Sequence, residues 1–307
     1  MSVEATSVRI DTTMTAFMRA YKFGDQFAYD RLARHVTVPT SAGRYKTLGS
    51  EMSDINVADQ AGTAGEAGVI GATMSEATFK TYERKLKTLV TDKTIREAPA
   101  IFNPMKFAAL LCTTGLKLRA EKRVSDLADA TSNTTTPSDD WDDELATIVA
   151  DVNAGKKAFK TALGDKPTDW LIPDHVADEI VGQADIVDLI KYSAAMAKPT
   201  SILDNLSADD LPKRMFGMNV LMPNARYTTN EPGVTRVLAN IWGDESYLFR
   251  VDPSGMSNGW AVTPTSRNLT VVKWRTNDPE GWWVMAVWEV DHIEVAAGAC
   301  HQFIDVT

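Results

Sequence analysis

Four histidines are the side chains in this sequence best suited to metal binding or acid–base catalysis. They are His35, His175, His292 and His301, and no two of them have the short spacing of a metal-ligand pair. His292 and His301 lie on either side of VAAGA, a separation too loose to define a motif. We interpret all four as structural or exposed histidines, with a metal or catalytic pair as the alternative.

Cysteine chemistry is limited to Cys112 and Cys300, which form no CxxC pair. Cys112 falls within the apolar part of a predicted helix. The pattern favours reduced, buried cysteines that act as small hydrophobic residues, and a disulfide or a reactive thiol remains the alternative.

An acidic run at Asp139, Asp140, Asp142 and Asp143 could suggest calcium, but the EF-hand spacing and its loop glycine are missing. We predict instead that acidic residues 139–144 begin a helix and complement its dipole. The motifs GxSxG, GxxxxGK[ST], GxGxxG and HExxH are also missing. The sequence therefore predicts no catalytic, cofactor-binding or metal-binding residue, no cofactor, and a protein that is not an enzyme.

Composition sets the broad class of the protein. Of 307 residues, 44% are hydrophobic and 24% charged, which excludes disorder throughout and suffices for about two domains. The 41 acidic and 32 basic residues give a net charge of -9, which argues against a nucleic-acid reader. Without a signal-like N-terminus or a run of 18 apolar residues, we expect a cytoplasm-like compartment and no membrane.

The longest predicted element is a helix that runs from Asn103 to about Ala130. Asn103 can cap it, and Pro104 suits its first position. Gly115 interrupts the helix at a cost of ~1 kcal/mol. Its apolar stripe is formed by Met105, Ala109, Cys112, Leu116, Ala120, Val124 and Leu127. The charged residues predicted to point away from the stripe are Lys117, Glu121, Lys122 and Asp126.

The residues before this helix predict an arm and a hairpin. Residues 1–38, with a short helical pattern from Phe17 to Leu32, read as an arm that packs on something else, another subunit being one candidate. Segments 44–55 and 77–92 read as hairpin arms around a mobile Gly/Ala-rich tip at 58–76. The basic cluster Lys80–Lys87 is interpreted as a solvated strand face, with contact to an acidic neighbouring subunit or phosphate binding as alternatives.

After the long helix, residues 140–235 alternate helices and strands, which predicts an α/β domain. The strands are DWLIP and MNVLMP, and helices run from Asp174 to about Gly182 and from Asp185 to Tyr192. They follow a helix with Lys156, Lys157 and Lys160 near its C-terminus. Its predicted buried face comprises Leu145, Ile148, Val149, Val152, Phe159 and Leu163.

The C-terminal part is rich in predicted strands, namely SYLFRVD, WAVTPT, NLTVVKWRT, WWVMAVWEV and HQFIDV. Asp278 to Gly281 has the pattern of a type I turn. In the strand after it, Trp282, Val284, Ala286, Trp288 and Val290 share one face, while Trp283, Met285 and Val287 share the other. Apolar residues on both faces predict a strand covered on both sides. The tryptophans favour core or interface packing over a ring-stacking ligand site.

Three segments resemble a known family. LKLRAEKRVSDLADATSN (116–133) is similar to the end of a spine helix, DWLIPDHVADEIVGQADIVDLIKYS (169–193) to the strand-helix-helix of an axial domain, and NIWGDESYLFRVDPS (240–254) to a return strand. With the order of the other elements, they resemble the major capsid proteins of tailed bacteriophages, which have the Hong Kong 97-type fold. The likeness covers about two thirds of the chain from about residue 77 to residue 307.

The resemblance implies an α+β fold with an N-terminal arm at 1–38 and an extended loop at 39–95. A peripheral domain with the spine helix would comprise 96–139 and 236–307, and an axial α/β domain 140–235. It further implies a shell protein that assembles as pentamers and hexamers around double-stranded DNA in the virion, after synthesis in a bacterial cytoplasm.

The partners implied are copies of the chain, a separate scaffolding protein, a portal, and head-decoration or completion proteins. A separate scaffold is expected because the arm is short and has no coiled-coil pattern. DNA would be enclosed without sequence-specific binding, and no Lys–Asn cross-linking pair can be assigned. An encapsulin-like compartment protein, a soluble α/β enzyme and a tail-tube protein are the alternatives, the last disfavoured by the long helix.

Overall fold

The computed structural model describes residues 9–21, 26–47, 75–144, 146–189, 211–228, 230, 234–252 and 259–307. Its helices are α1 (Thr12–Ala20), α2 (Tyr29–Leu32), α3 (Asp92–Glu97), α4 (Pro104–Asp129), α5 (Ile148–Leu163) and α6 (Asp174–Ile180). Its strands are β1 (Arg9–Ile10), β2 (Ala33–Thr37), β3 (Ala42–Thr47), β4 (Ser75–Lys80), β5 (Tyr82–Thr91), β6 (Thr134–Thr135), β7 (Asp169–Leu171), β8 (Arg214–Met215), β9 (Met218–Leu221), β10 (Arg226–Tyr227), β11 (Ala239–Asn240), β12 (Ser246–Phe249), β13 (Ala261–Asn277), β14 (Glu280–Val290), β15 (Ile293–Glu294) and β16 (Cys300–Phe303).

One sheet, here called the first sheet, is built on the long hairpin β13–β14. The strand order is β1-β13-β14-β5, and β2 and β15 also pair with β13. The segments WAVTPT and NLTVVKWRT, predicted as separate strands, belong to the single strand β13. Register shifts between Thr265 and Thr270 take up the extra residues as bulges, so the strand bends without ending.

The prediction of a type I turn over Asp278 to Gly281 is wrong. β13 ends at Asn277 and β14 begins at Glu280, so the two loop residues are Asp278 and Pro279, which are joined by a cis peptide bond. Gly281 lies within β14, where an added Cβ would be 2.5 Å from the Val90 carbonyl oxygen. This glycine permits close approach of β5 instead of forming the turn.

The second sheet has the strand order β6-β16-β12-β7-β9-β8. Strands β7, β12 and β16 are buried along their whole length, and α5 packs against β12 and β16.

The predicted α/β arrangement is confirmed, including the strands DWLIP and MNVLMP. Residues 184–189 are helical, and the remainder of the helix predicted to end at Tyr192 lies outside the described residues. The sheet takes strands from both sides of the proposed boundaries at 139/140 and 235/236, and the domain division stays a prediction.

The helix α5 begins later in the chain than the acidic residues 139–144 suggested. It starts at Ile148, so residues 139–144 lie in turns before the helix, not at its N-terminus, and the dipole interpretation is wrong. Trp141 within this run is fully buried, and its Nε1 donates a hydrogen bond to Asp151 in the first turn of α5 at 3.2 Å. Burial of this indole side chain therefore holds residues 139–144 against the core in a turn conformation. Ile148, Val152, Phe159 and Leu163 are buried as predicted, Val149 is half-buried, and Leu145 lies outside the described residues.

The long helix is confirmed as α4, whose 26 residues span about 39 Å. The side-chain oxygen of Asn103 accepts hydrogen bonds from the backbone N–H groups of Met105 and Lys106 at 3.1 Å. The helix lies across β5 and β14 of the first sheet. An added Cβ at Gly115 would be 2.7 Å from Cδ1 of Leu86, so this glycine marks the close crossing of helix and sheet.

The stripe of α4 is confirmed at Ala109, Cys112, Leu116, Ala120 and Val124, whereas Met105 and Leu127 are only half-buried. The stripe prediction is wrong at Glu121. Its side chain is 0% exposed and faces the core. Hydrophobic periodicity assigns a carboxylate to the solvent side because it registers neither buried donors nor neighbouring segments.

The N-terminal arm packs on its own chain, which corrects the expectation that it packs elsewhere. Met18, Tyr29 and Leu32 are at most 1% exposed, and β1 and β2 pair with β13. The described residues of the arm, 9–21 and 26–38, contain two helices, α1 and α2, where the sequence suggested one short helical stretch. Asp11 caps α1 by accepting a hydrogen bond from the Met14 N–H at 2.8 Å.

The predicted hairpin is confirmed in its described part, with β3 and β4 paired from Ala42↔Lys80 to Thr47↔Ser75. Beyond Thr81 the second arm leaves the hairpin and joins the first sheet as β5. The Thr81 N–H donates to the Ser41 carbonyl oxygen at 2.7 Å at this junction. Of the predicted tip at 58–76, only residues 75 and 76 lie within the described part of the chain.

Candidate assembly surface

The four histidines have separate hydrogen-bond partners, although the rings of His35 and His292 both pack on Tyr29, with centroids 6.3 and 6.4 Å from its ring. His35 contacts Asp30 at 2.9 Å, His175 contacts Asp244 at 3.0 Å, and His301 contacts Asn133 at 3.0 Å. His292 contacts Thr263 at 2.9 Å. Over the described ranges, no group of three or more acidic, histidine and cysteine side chains is arranged to hold a metal ion.

Both cysteines are free and buried, as predicted. Burial raises the pKa of Cys112 and of Cys300, so each thiol is protonated at neutral pH. They act as small apolar side chains within the packing around α4 and β16.

Five exposed apolar side chains surround the N-terminal end of α4, and we call them the apolar patch. They are Ile95, Ile101, Phe102, Phe107 and Leu111, with exposed fractions of 38%, 100%, 45%, 53% and 55%. The Phe102 and Phe107 rings lie 5.5 Å apart. An exposed apolar surface that includes two neighbouring phenylalanines is typical of a protein–protein contact.

An open groove of about 260 Å³ runs into the apolar patch. Leu89 and Val90 of β5 form one wall, and Pro104, Ala108 and Leu111 of α4 form another. Since α4 buries Ala108, Ala109 and Cys112 while it exposes Phe107 and Leu111, this end of the helix is apolar on opposite sides. A helix with this pattern is usually covered on both sides.

The β3–β4 hairpin presents a basic face. Arg44, Lys46 and Lys80 are exposed on one side of the ribbon, while on the other side Phe79 covers Gly43. The Tyr45 hydroxyl donates to the Glu294 carbonyl oxygen at 3.1 Å and ties the ribbon to the first sheet.

The exposed lysines of the basic cluster after the hairpin behave as a solvated strand face, whereas Arg84 is half-buried. Lys85 is exposed and pairs with Glu83 at 2.7 Å, while the exposed Lys87 ammonium lies 4.4 Å from the centre of the Trp283 ring. The Trp283 ring in turn stacks on Trp274, with centroids 6.4 Å apart. No contact in the described residues favours phosphate binding at this cluster.

The Trp-rich strands are mainly core, as predicted. Trp260 and Trp288 are at most 5% exposed, and Val284, Ala286 and Val290 are fully buried on the side of β14 that faces α4. On the opposite face, Trp283 and Met285 are only half-buried. Trp282 on the first face is also half-buried, and Val287 on the second is buried, so the described residues cover both faces of β14 only in part.

A buried carboxylate joins the arm to the long helix, a feature that the sequence did not reveal. Glu121 accepts hydrogen bonds from the Ala28 N–H at 3.0 Å, the Tyr29 N–H at 2.9 Å and the Trp242 Nε1–H at 2.6 Å. Burial raises the pKa of Glu121, although the three donors act in the opposite direction and Asp30 adds to the rise. We call these four residues the Glu121 clasp.

Solved structures similar to this chain are shells and phage-related proteins. A phage-related protein of Bordetella bronchiseptica RB50 has a TM-score of 0.69 at 16% identity, with 98% of each chain covered. The capsid of cyanophage P-SCSP1u has a TM-score of 0.60 at 10% identity, covering 92% of this chain and 89% of that one. The SrpI encapsulin of Synechococcus elongatus PCC 7942 has a TM-score of 0.55 at 11% identity, covering 90% and 86%.

No protein-family model and no curated protein matches the sequence. None of the helices described above is long and apolar enough to cross a membrane. The structural likeness extends over nearly the whole chain and includes phage capsids among its members. The chain therefore has the α+β, Hong Kong 97-type fold of phage capsid proteins.

Proposed function

We propose that this chain is the major capsid protein of a tailed bacteriophage, assembling as pentamers and hexamers into an icosahedral shell around double-stranded DNA. The observation that carries the proposal is the likeness to the cyanophage capsid over 92% of the chain. The structures that the chain resembles are capsid proteins, which argues against catalysis as its role.

Two surfaces support self-association. The apolar patch around Phe107 and Leu111 needs a covering partner, and the β3–β4 hairpin presents an exposed ribbon to other molecules. A shell is held together by many copies of such contacts. When each contact is weak, a wrongly placed subunit can dissociate before the shell closes.

The domain division proposed for the shell follows the family resemblance. Residues 1–38 form the arm, 39–95 the extended loop, 96–139 and 236–307 the peripheral domain, and 140–235 the axial domain. The net charge of -9 suits a wall that encloses DNA without sequence-specific binding. A separate scaffolding protein, a portal, and decoration or completion proteins are the proposed partners, with assembly in the bacterial cytoplasm and residence in the virion.

An encapsulin-like compartment shell is the second candidate, because the chain also resembles the SrpI encapsulin over 90% of its length. The two functions differ in cargo. A phage shell would enclose DNA after packaging, whereas a compartment would enclose protein.

Negative-stain microscopy of the expressed protein, alone and with the product of its neighbouring scaffold gene, tests the proposal. We expect rings or closed shells of uniform size. A protein that stays monomeric under all conditions would count against any shell function. Closed shells that co-purify with a protein cargo and never package DNA would favour the compartment.

A further inference from the structure

Three arginines converge beside the crossing of α4 and the first sheet. Gly115 lets α4 approach Leu86 of β5, and the next turns of the same helix face carry Arg119 and Arg123. Arg84 lies two residues from Leu86 on the same face of β5. We call Arg84, Arg119 and Arg123 the arginine cluster.

The charge of the arginine cluster is not neutralised within the described part of the chain. No carboxylate there lies within ion-pair distance of Arg84, Arg119 or Arg123, and the buried Nε atoms of Arg84 and Arg123 have no acceptor. The pKa of Arg123 is lowered to about 10, chiefly by burial and also by the charges of Arg84 and Arg119, while Asp291 acts in the opposite direction. The cluster is thus a site of excess positive charge with unused donors.

His292 supplies a hydrogen-bond acceptor to the cluster. The Thr263 hydroxyl donates to the Ala33 carbonyl oxygen at 3.1 Å, so it accepts the Nδ1–H of His292 at 2.9 Å. The bare Nε2 then faces Nη2 of Arg123 at 3.5 Å. Because this imidazole is neutral, it accepts a weak hydrogen bond but cancels no charge.

The cluster lies where another molecule can reach it. β5 is the last strand of the first sheet in the order β1-β13-β14-β5, so it has a free edge among the described strands. Arg119 is exposed, and Tyr82 at the start of β5 is 49% exposed. The exposed Arg119 is therefore the part of the cluster that an acidic partner can reach first.

A surface of opposite charge lies elsewhere on the chain, in the turns at residues 139–144, which we call the acidic turn. Asp139, Asp140, Asp142 and Glu144 are exposed and make no ion pair with any described residue. Trp141 anchors the acidic turn, because its side chain is fully buried and its backbone N–H donates to the Val306 carbonyl oxygen at 2.6 Å. These carboxylates are therefore held on an ordered surface.

We propose that the arginine cluster of one copy binds the acidic turn of a second copy. The two surfaces are different parts of the chain, so the contact is heterologous, and a heterologous contact repeated head to tail closes into a ring when its rotation permits. The inference rests on the proposed function, since it supplies a contact within the rings of a shell. An acidic protein surface suits the cluster better than nucleic acid does, because the net charge of -9 repels a polyanion.

Charge reversal tests the contact. Arg119→Glu places a carboxylate opposite the acidic turn, and we expect the yield of rings and shells, measured by sedimentation and negative-stain microscopy, to fall about tenfold or more. The double variant Asp140→Lys/Asp142→Lys should cause a similar loss. A chain carrying all three substitutions restores opposite charges and should recover assembly. Lys157→Glu, at an exposed lysine of α5, is the matched control and should assemble as the wild type does.

The outcomes separate this inference from the proposed function. A wild-type chain that forms no assembly refutes the shell function. Normal assembly by Arg119→Glu, or failure of the triple variant to recover while its thermal unfolding matches that of the wild type, overturns the inference alone. Inorganic phosphate that stabilises the isolated wild-type subunit at low millimolar concentration, and not Arg119→Glu, would instead assign the cluster to a free oxyanion.

Discussion

Removing the Glu121 carboxylate should detach the arm from the long helix. In Glu121→Ala, the N–H groups of Ala28 and Tyr29 and the indole N–H of Trp242 lose their acceptor in a site with no exposed surface. An unsatisfied buried donor costs about 1–3 kcal/mol, so three donors set the scale of the loss. Part of this loss is offset, because the variant no longer has to bury a charged carboxylate away from water. We expect the free energy of unfolding to fall by about 3–6 kcal/mol.

Urea unfolding, followed by the fluorescence of the buried tryptophans, measures this change on the unassembled subunit. Amide hydrogen exchange at residues 28 and 29 provides a local readout, because the clasp protects these two N–H groups directly. Glu97→Ala is the matched control, since Glu97 is an exposed helical glutamate with a long contact of 3.9 Å to Lys93. A loss below about 0.5 kcal/mol in Glu121→Ala, the range of ordinary surface substitutions, would refute the reasoning.

The clasp also predicts a pH dependence. Burial raises the pKa of Glu121, so the folded state holds a proton that the unfolded state has already released. This contribution to stability is complete below the ordinary carboxyl pKa and is lost as the pH rises through the raised value. Glu121→Gln cannot titrate, so the free energy of unfolding of the wild type, minus that of the variant, should decrease as the pH rises above the ordinary carboxyl pKa of about 4. A constant difference would show that the carboxylate is not titrating in that window.

Three further predictions concern other parts of the chain. Phe107→Ser should leave the free energy of unfolding within about 0.5 kcal/mol of the wild type and still reduce the yield of shells, as measured by urea unfolding and by sedimentation. Gly155→Ala should lower the free energy of unfolding by about 1–3 kcal/mol, because the added Cβ would lie 2.3 Å from the Phe303 ring. Gly182→Ala, whose added Cβ would have no atom within 4 Å, is the control and should leave the stability nearly unchanged. Equal urea midpoints for the two variants would contradict this prediction. Burial and the Arg123 charge lower the pKa of His292 to about 3, so the unfolded state takes up a proton before the folded state does. The free energy of unfolding should therefore fall as the pH drops below about 6.5, and His292→Gln should reduce this pH dependence. An equal pH dependence of wild type and variant in urea unfolding between pH 5 and 7 would refute the lowered pKa of His292.

Local signals explain the elements that sequence reasoning found. The α4 boundaries follow from the cap at Asn103 and the proline at position 104, because capping depends on adjacent residues only. The buried face of α5 and the strands of the second sheet likewise follow from periodicity. Even the family resemblance depended on segments whose local pattern is characteristic.

Long-range pairing explains what sequence reasoning missed. Gly281 has the composition of a turn residue, yet it is needed where β14 meets Val90 of a strand distant in sequence. The arm has too few apolar residues to show that its partner is β13 of the same chain, about 230 residues later. The acidic run at 139–144 looks like a helix start until the burial of Trp141 holds it in turns.

The sequence by itself determined the class of the protein, the long helix and the alternating elements, since these depend on composition, period and neighbouring residues. Only the tertiary structure decided that Glu121 is an internal acceptor. It also decided that Arg84, Arg119 and Arg123 share one place where no described carboxylate is within ion-pair distance. A charged side chain can be solvated, hydrogen-bonded within the chain, or available to bind a partner. Which of these holds depends on the distant segments that surround it, and that is a property of the folded chain.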